Sequence, residues 1–442
     1  MDGDGNRDNR RALLLASIPA MVQLLLKMGV GMVNKLMVGQ LGEAAIAGVG
    51  VSEQVIFLLL MVFAAVSTGV TTLAAQHLGA GDRERIRNVL GSGLVFGVLA
   101  ALPITLALFC LAGDLLAWMG ATPEIVAEGS TYLRVVSLAV PSIIASFILT
   151  AIFRAFSENK LPMYASLGAI LLDVSLSYYF LFVARKGIVG VAYAALIARN
   201  AELLFLLTAL QLRGRDYGLS LRHALAFSRT TFGKLVRIGW PVSVDMFIWQ
   251  AGSMLAMLIV LRLGTILSGV NELAKLVPGW ILTPVMGISA TATAFVGRDL
   301  GRGRFGDAQR QASETLRLAL LITLAMSLLV CAAAPFIPGF FRFTAEGSRY
   351  AVYAILFAAL TQVTVFPNLI CPSILRAGGD TKIIIPITAA GLALGLPAAY
   401  LLGITLHLGL LGVLAGQALG DLAKAIIFYT RYRQGAWKQK LV

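Results

Sequence analysis

Long apolar stretches alternate with short polar ones along the whole chain. Each apolar stretch holds about 20 residues, the length that an α-helix needs to cross the hydrocarbon core of a bilayer. The pattern predicts an all-α integral membrane protein with twelve transmembrane helices. The predicted spans are residues 12–33, 44–66, 90–112, 131–153, 161–183, 188–211, 235–260, 265–290, 314–336, 351–373, 383–402 and 408–430.

The polar stretches between the spans alternate in their content of lysine and arginine. Every second stretch is rich in these basic residues, as in 83–87 and 298–304, and the stretches between them carry few. Because Lys and Arg are retained on the cytoplasmic side, we expect a multi-pass protein of the inner or plasma membrane with both termini cytoplasmic. An even number of spans in each half would give both halves the same orientation, related by a pseudo-twofold axis along the membrane normal.

The sequence repeats itself with a fixed shift of 222 residues. Matching pairs are Pro19 and Pro241, Ser67 and Ser289, Thr71 and Thr293, Arg154 and Arg376, Lys160 and Lys382, and Gly187 and Gly409. Repeated sets of membrane helices around a central site are a common construction of secondary transporters. We therefore predict an N-lobe of six helices over 1–211, a cytoplasmic interlobe linker over 212–234, and a C-lobe of six helices over 235–442 that ends in a short basic tail.

The composition narrows the class of protein. The chain is 58% hydrophobic and 13% charged, with a mean hydropathy of +0.84, which lies outside the range of soluble domains. The net charge of +14 does not predict nucleic-acid binding, because the basic residues lie mostly in the short loops that set the topology. Motifs for nucleotide binding or hydrolysis are missing, and the few Cys and His are scattered. We therefore expect neither an enzyme nor a disulfide, metal site or cofactor.

Duplicated turns carry a recognisable pattern. A run Arg376-Ala-Gly-Gly-Asp-Thr-Lys382 lies between the fourth and fifth spans of its half, Leu78-Gly-Ala-Gly81 and Leu300-Gly-Arg-Gly303 follow the second span, and Val38-Gly-Gln-Leu-Gly42 follows the first. With these motifs in order from residue 12 to 430, the chain resembles the multidrug and toxic compound extrusion (MATE) family. The resemblance implies two six-helix lobes in a V around a central cavity. It also implies export of organic, often cationic or amphiphilic, compounds in exchange for inward H⁺ or Na⁺, and we expect a monomer.

Within that family the chain is closer to the DinF-like than to the NorM-like branch. DinF-like members carry Asp at the place of Asn34, and Asn and Asp at the places of Asp173 and Ser177, so the resemblance implies an N-lobe polar cluster in altered form. NorM-like members carry Glu at the place of Trp249 and Asp near Val365. Their C-lobe cation site is therefore expected to be absent.

Two charged residues lie deep in the predicted spans, where each charge costs roughly 3 kcal/mol on insertion scales. Lys27 lies ~22 Å and Asp173 ~18 Å from the cytoplasmic starts of their spans, so we expect them to form an ion pair, either static or opened by protonation. Asp173 is the predicted titrating carboxylate, whose protonation would release Lys27 and rearrange hydrogen bonds among Asn34, Ser177 and Tyr178. Alternatively, the ammonium of Lys27 replaces the coupling cation, which would leave transport weakly coupled.

Other charged residues in the spans have simpler interpretations. Glu53, Arg134, Arg262, Glu272 and Lys275 lie near span ends, from which they can reach the headgroups. Arg199, Glu202, Asp421 and Lys424 are interpreted equally well as simple ion pairs or as functional groups.

A cavity that accepts many substrates is expected to have apolar, adaptable walls with few fixed polar groups. The candidate lining residues are Gln23, Asp245, Trp249, Met254, Met257 and Trp280. Asp245 and Trp249 lie one helical turn apart and would hold an organic cation by charge and by cation–π attraction. Gln23 corresponds to Asp245 under the repeat.

Other functions compete with drug export. A lipid-linked saccharide flippase of the same superfamily would need an arginine-rich central cavity for pyrophosphate, whereas most arginines here lie in predicted cytoplasmic loops. An intramembrane enzyme would need a nucleophile and base or a metal cluster at depth. A non-transporting scaffold would need no charged residues in the middle of the membrane. The choice between H⁺ and Na⁺ stays open.

Overall fold

The computed structural model describes residues 2–340 and 345–439, and every regular element in these ranges is a helix. Met1, 341–344 and 440–442, which the predicted lobes include, lie outside them. The α-helices are α1 (Asp2–Gly39), α2 (Glu43–Gly79), α3 (Arg83–Cys110), α4 (Ala112–Trp118), α5 (Pro123–Ser137), α6 (Val140–Ala155), α7 (Lys160–Tyr178), α8 (Gly187–Arg213), α9 (Arg229–Leu261), α10 (Thr265–Ala274), α11 (Leu276–Gly301), α12 (Phe305–Ala333), α13 (Ala345–Val365), α14 (Pro367–Ala377), α15 (Ile384–Tyr400) and α16 (Gly409–Gln434). The predicted all-α fold class is confirmed.

Within the described ranges, eleven helical segments are long and apolar enough to cross a membrane, or twelve if α5 and α6 form one bent span. The predicted span over 131–153 is not one continuous helix, because α5 and α6 meet at 49°. Pro141 lies in the first turn of α6. It has no amide hydrogen to donate to the carbonyl of Ser137, four residues earlier, and the helix breaks there.

Several helices extend well beyond their predicted apolar spans. α1 begins at Asp2 rather than at residue 12, and α2 continues to Gly79 rather than ending at 66. Hydropathy detects only the part of a helix that lipid surrounds, whereas the helix itself continues until its backbone is interrupted. After α2 the interruption is Gly81, whose φ of +76° lies in the left-handed region that glycine adopts without strain.

The chain divides into two compact units that do not coincide with its two halves. The first unit comprises Met1–Met21 and Pro241–Val442, and the second comprises Val22–Trp240, including the predicted linker. α1 and α9 therefore each belong partly to one unit and partly to the other. In the first unit the backbone of Met21 packs against Gly287, where an added Cβ would lie 2.8 Å from the Met21 nitrogen.

The 222-residue repeat is visible in the backbone of the two units. Left-handed residues occur in pairs at this shift: Gly42 and Gly264 (φ 112° and 95°), Gly81 and Gly303 (76° and 71°), Ser157 and Gly379 (66° and 82°), Arg185 and His407 (51° and 54°), and Gly187 and Gly409 (58° and 61°). Two π-helical turns, Tyr179–Val183 and Leu401–Thr405, extend α7 and α15 at the same shift. The two halves thus share their turns as well as their spans.

The contact between α15 and α16 is unusually close because glycines line both helices. A Cβ on Gly416 would lie 2.1 Å from the nitrogen of Ala399, and one on Gly395 would lie 3.2 Å from the Cα of Gly420. Small residues let membrane helices approach at backbone distance, which maximises van der Waals contact. This pair is a packed contact in the first unit.

The end of the predicted basic tail is folded onto the first unit. Ala436–Gln439 forms a short 3₁₀ turn in which Trp437 is fully buried. The indole nitrogen donates to the carbonyl of Tyr432 at 3.0 Å, and the two rings stack with centroids 6.1 Å apart. The Trp437 carbonyl approaches Gly378 so closely that a Cβ there would collide with it.

Candidate functional site

Three of the residues predicted for ion coupling come together between α1 and α7. Asn34 Nδ2 donates a hydrogen bond to Asp173 Oδ2 at 2.9 Å, and Ser177 lies beside the same carboxylate, one turn further along α7. Asp173 is 6% exposed and Ser177 is fully buried. Tyr178 lies away from them: it is exposed, and its ring centroid is 5.0 Å from that of Phe182. We call Asn34, Asp173 and Ser177 the coupling cluster.

The coupling cluster has more acceptors than donors. Asn34 Oδ1, Asp173 Oδ1 and Ser177 Oγ are buried without a well-aligned hydrogen-bond partner among the described residues. Buried polar atoms without partners cost free energy. A proton on the carboxylate would give one of these oxygens a donor, and a hard cation would bind them directly. In the part of the chain that the structure describes, no three His, Cys, Asp or Glu residues are grouped as metal ligands.

The predicted ion pair between Lys27 and Asp173 is wrong. Lys27 Nζ lies 3.2 Å from Glu202 Oε1 on α8 instead. Asp173 is level with Asn34, which is seven residues and therefore about 10 Å further along α1 than Lys27. The depth argument assumed that the apolar runs of α1 and α7 start at the same level, but Gln23 contacts Pro162 and Ser166, so the two helices are staggered along their axes.

Glu202 is the centre of a polar network in the second unit. Its Oε1 accepts hydrogen bonds from Lys27 Nζ and from Ser166 Oγ, the latter at 2.7 Å, and its Oε2 lies 3.2 Å from Arg199 Nη1. Arg199 and Glu202 thus form an ion pair. Glu202 is only 5% exposed, so its charge is compensated by cations rather than by solvent.

Gln23 extends this network to Arg154. Its Nε2 donates to Ser166 Oγ at 2.8 Å and to the carbonyl of Pro162 at 3.2 Å, and its Oε1 accepts from Arg154 Nη2 at 3.0 Å. Gln23 is 3% exposed, so it holds helices together rather than lining an open surface. The Glu202 network consists of Gln23, Lys27, Arg154, Ser166, Arg199 and Glu202.

The first unit carries different charges at the corresponding positions. The corresponding residues at the 222-residue shift are Asp245, Trp249, Arg376, Thr388, Asp421 and Lys424, which we call the Asp245 network. Arg376 Nη2 lies 3.1 Å from Asp245 Oδ2, and the Thr388 hydroxyl donates to Asp245 Oδ1 at 2.5 Å. Lys424 Nζ lies 2.6 Å from Asp421 Oδ1, so these two residues form an ion pair. At these two positions acid and base are exchanged relative to Arg199 and Glu202.

The predicted cavity residues do not form one surface. Trp249, Met254 and Trp280 are exposed, whereas the sulfur of Met257 lies 3.7 Å from Asn271 Nδ2 and 3.4 Å from Lys275 Nζ. Met257 therefore packs between α9 and α10. Both oxygens of Asp245 already accept hydrogen bonds, so an organic cation would have to compete with Arg376 for that carboxylate.

An apolar cavity of about 450 Å³ lies between α9 and α15 in the first unit. It is lined by Phe247, Ile248, Ala251, Gly252, Leu255, Ala389, Leu392, Ala393, Leu396 and Pro397. Phe247 lies two residues after Asp245, but none of the six predicted cavity residues contributes to this lining. Hydropathy could not have located it, because its walls have the composition of any lipid-facing helix.

Sequence reasoning left Glu202 as one of four charges with a possible structural role and did not connect it to Lys27. A signal was present in the repeat. Glu202 and Arg199 correspond to Lys424 and Asp421, so a helical i,i+3 ion pair occurs in both halves with opposite order. The sixth predicted span of each half, α8 and α16, therefore carries an ion pair at the same depth. This indicates that other polar groups lie near that level.

Comparison with known proteins gives a consistent result. The MatE family profile matches residues 19–179 and again 241–401, two segments related by the same 222-residue shift. Relatives along nearly the whole chain include the uncharacterized transporter YisQ of Bacillus subtilis, which is 26% identical, covering 98% of this chain and 96% of that protein. The multidrug resistance protein MdtK of Yersinia pestis is 24% identical, covering 97% of this chain and 96% of that protein.

Solved structures share the fold. The outward-facing conformation of a multidrug resistance MATE family transporter matches with a TM-score of 0.91 at 21% identity, covering 98% of this chain and 97% of that one. A MATE crystal structure in the straight conformation matches with a TM-score of 0.90 at 22% identity and the same coverage. At these identities the likeness shows the fold alone.

Proposed function

Because the chain belongs to the MatE family of multi-pass membrane transporters, which are not enzymes, we propose that it is a secondary active antiporter. It exports organic compounds, cationic or amphiphilic, in exchange for inward H⁺ or Na⁺ by alternating access. Relatives such as MdtK and NorM are named as multidrug resistance proteins, which supports this substrate range. We further propose a protein of the inner or plasma membrane with both termini cytoplasmic, organised as the two predicted lobes.

The observation that carries the antiport proposal is the coupling cluster. A carboxylate that is 6% exposed lies near the middle of a membrane span with one oxygen unpartnered. Intramembrane carboxylates are expensive in lipid and are typical of ion pathways and proton relays. Asp173 is therefore the proposed titrating group.

A proton fits this cluster well. On Asp173 Oδ1 it would donate to Asn34 Oδ1 or Ser177 Oγ, both of which lack an aligned partner, while the bond from Asn34 Nδ2 to Oδ2 stays in place. A hard metal cation generally takes about six oxygen ligands, more than the three unpartnered side-chain oxygens of the cluster. These contacts favour H⁺ over Na⁺ as the coupling ion. Binding of the proton would bias the conformational equilibrium by the contacts that it adds in one state.

The alternative in which Lys27 substitutes for the coupling cation finds no support in the contacts. Lys27 is paired with Glu202, about two helical turns from the level of Asp173. Its ammonium therefore does not occupy the coupling cluster.

The proposed function is tested by Asp173→Asn in proteoliposomes. We measure transport of rhodamine B ethyl ester, a fluorescent organic cation, under an imposed pH gradient or an imposed Na⁺ gradient. Asn cannot be titrated, so pH-driven transport by this variant is expected to fall to the level of empty liposomes. The wild type should respond to the pH gradient and not to the Na⁺ gradient.

The matched control is Asp114→Asn, the same change at an exposed carboxylate in the short helix α4 between membrane spans. It should transport like the wild type. Full pH-driven transport by Asp173→Asn would refute the assignment of Asp173. A wild-type response to Na⁺ alone would refute H⁺ coupling.

A further inference from the structure

The Glu202 network contains more positive charge than its counterpart in the other half. Lys27 and Arg199 share a single carboxylate, that of Glu202, and Arg154 contacts the neutral side chain of Gln23. In the Asp245 network two cations, Arg376 and Lys424, each contact a carboxylate of their own. The Glu202 network therefore contains three cationic side chains and one carboxylate.

The cations of the Glu202 network also have unused hydrogen-bond donors. Among the described contacts, Lys27 and Arg199 each have one side-chain acceptor, and it is the same residue, Glu202. An ammonium carries three donors and a guanidinium five in a fork that matches a carboxylate. A second anionic group can therefore bind without displacing Glu202.

Two of these cations are accessible. Lys27 is 31% exposed and Arg199 37% exposed, although each lies at the middle of its membrane span, Leu13–Leu41 and Gly187–Arg213. A charged side chain exposed at this depth does not face hydrocarbon, because lipid contact is too costly; such residues face water-filled cavities. The exposed donors thus open onto the aqueous part of the transport route.

We infer that Lys27 and Arg199 bind the carboxylate of a transported amphiphile. The site accepts zwitterionic or anionic amphiphiles, in which a carboxylate is joined to a large apolar or aromatic body. The contacts of Glu202 illustrate how these two cations bind a carboxylate: one of its oxygens contacts Lys27 and the other contacts Arg199. The inference rests on the proposed function, since it assigns a substrate class to that transport, but its test needs no ion gradient.

The test uses two dyes that differ in one group. Rhodamine B carries a free carboxylate on a cationic ring system, and rhodamine B ethyl ester carries the same ring system without the acid. Dissociation constants are measured by fluorescence anisotropy with purified wild type, Lys27→Gln and Arg199→Gln. We expect each variant to weaken rhodamine B binding about tenfold, as for the loss of one charge-assisted hydrogen bond, and to leave ester binding unchanged within about twofold.

Two controls separate recognition from packing. Lys424→Gln removes one positive charge at the position of the Asp245 network that corresponds to Glu202, and should leave the ratio of the two dye affinities as in the wild type. Lys27→Arg keeps the charge and the donors and should bind rhodamine B like the wild type. Equal wild-type affinity for both dyes, or a parallel loss for both dyes in Lys27→Gln and Arg199→Gln, overturns the inference. Loss of coupling in Asp173→Asn has no bearing on this ratio, so the two proposals fail separately.

Discussion

The two halves of the repeat differ most at the level of the coupling cluster. The residues that correspond to Asn34, Asp173 and Ser177 are Ala256, Gly395 and Ala399. In the second unit this level holds a carboxylate with one unpartnered oxygen. In the first unit the backbones of α15 and α16 are in close contact at the same level. One copy of a duplicated bundle has kept a titratable group, and the other has become a packed helix pair.

The comparison teaches that a buried carboxylate and close helix packing exclude each other at one position of the same fold. A carboxylate and its partners need volume and donors, whereas a glycine contact leaves neither. The two halves also differ at the level of the Glu202 and Asp245 networks, where acid and base are exchanged between corresponding positions. In the Asp245 network each cation contacts a carboxylate of its own, whereas in the Glu202 network two cations share one carboxylate.

The largest effect is expected from placing a carboxylate at Gly395, the position of the first unit that corresponds to Asp173. Gly395→Asp would place an unpaired acid where a Cβ already lies 3.2 Å from the Cα of Gly420. We expect more than about 3 kcal/mol of destabilisation, from overpacking together with a buried charge. Folded protein recovered by size-exclusion chromatography in detergent should drop sharply. Wild-type recovery would contradict the assignment of this level as closely packed.

An intermediate effect is expected at the two matching arginines. Arg376→Met strands the Asp245 carboxylate with Thr388 as its remaining side-chain donor, which should cost about 3 kcal/mol. Arg154→Met breaks a bond to the neutral Gln23 and removes a desolvated cation, so its cost should be about 1 kcal/mol or less. Thermal unfolding midpoints in detergent measure both. A larger loss for Arg154→Met would reverse the proposed charge balance of the two networks.

The smallest effect is expected from one methyl group. Gly416→Ala introduces a Cβ 2.1 Å from the Ala399 nitrogen and should cost about 1–3 kcal/mol, although its counterpart in the other half, Ala194, already carries that methyl. Gly168→Ala on α7 is the control, because nothing lies within 4 Å of its added Cβ. It should stabilise α7 slightly. Equal unfolding temperatures for the two variants would show that α15 and α16 separate easily.

The sequence predicted the spans and the repeat because both depend on local properties. Apolar runs of bilayer length are read directly, and turn residues such as Gly81 and Gly303 keep their left-handed backbone wherever the bundle places them. The break before Pro141 was missed because hydropathy is insensitive to a missing amide donor.

The site was predicted less completely because it depends on how helices are staggered. Asp173 and Asn34 were selected and do meet, yet Lys27 was matched to the wrong carboxylate, since the axial position of α1 against α7 and α8 is a tertiary property. Asp245 was selected as a carboxylate that binds an organic cation. Its hydrogen-bond partner Arg376 lies 131 residues away in the sequence, and no local pattern joins the two residues.

The division of α1 and α9 between the two units bears on how the chain is made. Residues 2–21 are synthesised before residues 22–240, yet the rest of their unit begins at Pro241 and is synthesised later. The second unit likewise has to wait for residues 229–240 of α9. Long-range closure of this kind slows assembly and leaves apolar surface uncovered meanwhile. Two polypeptides produced by cutting within 212–234 would each lack a piece of helix that only the other supplies, so neither half is a self-sufficient product of translation.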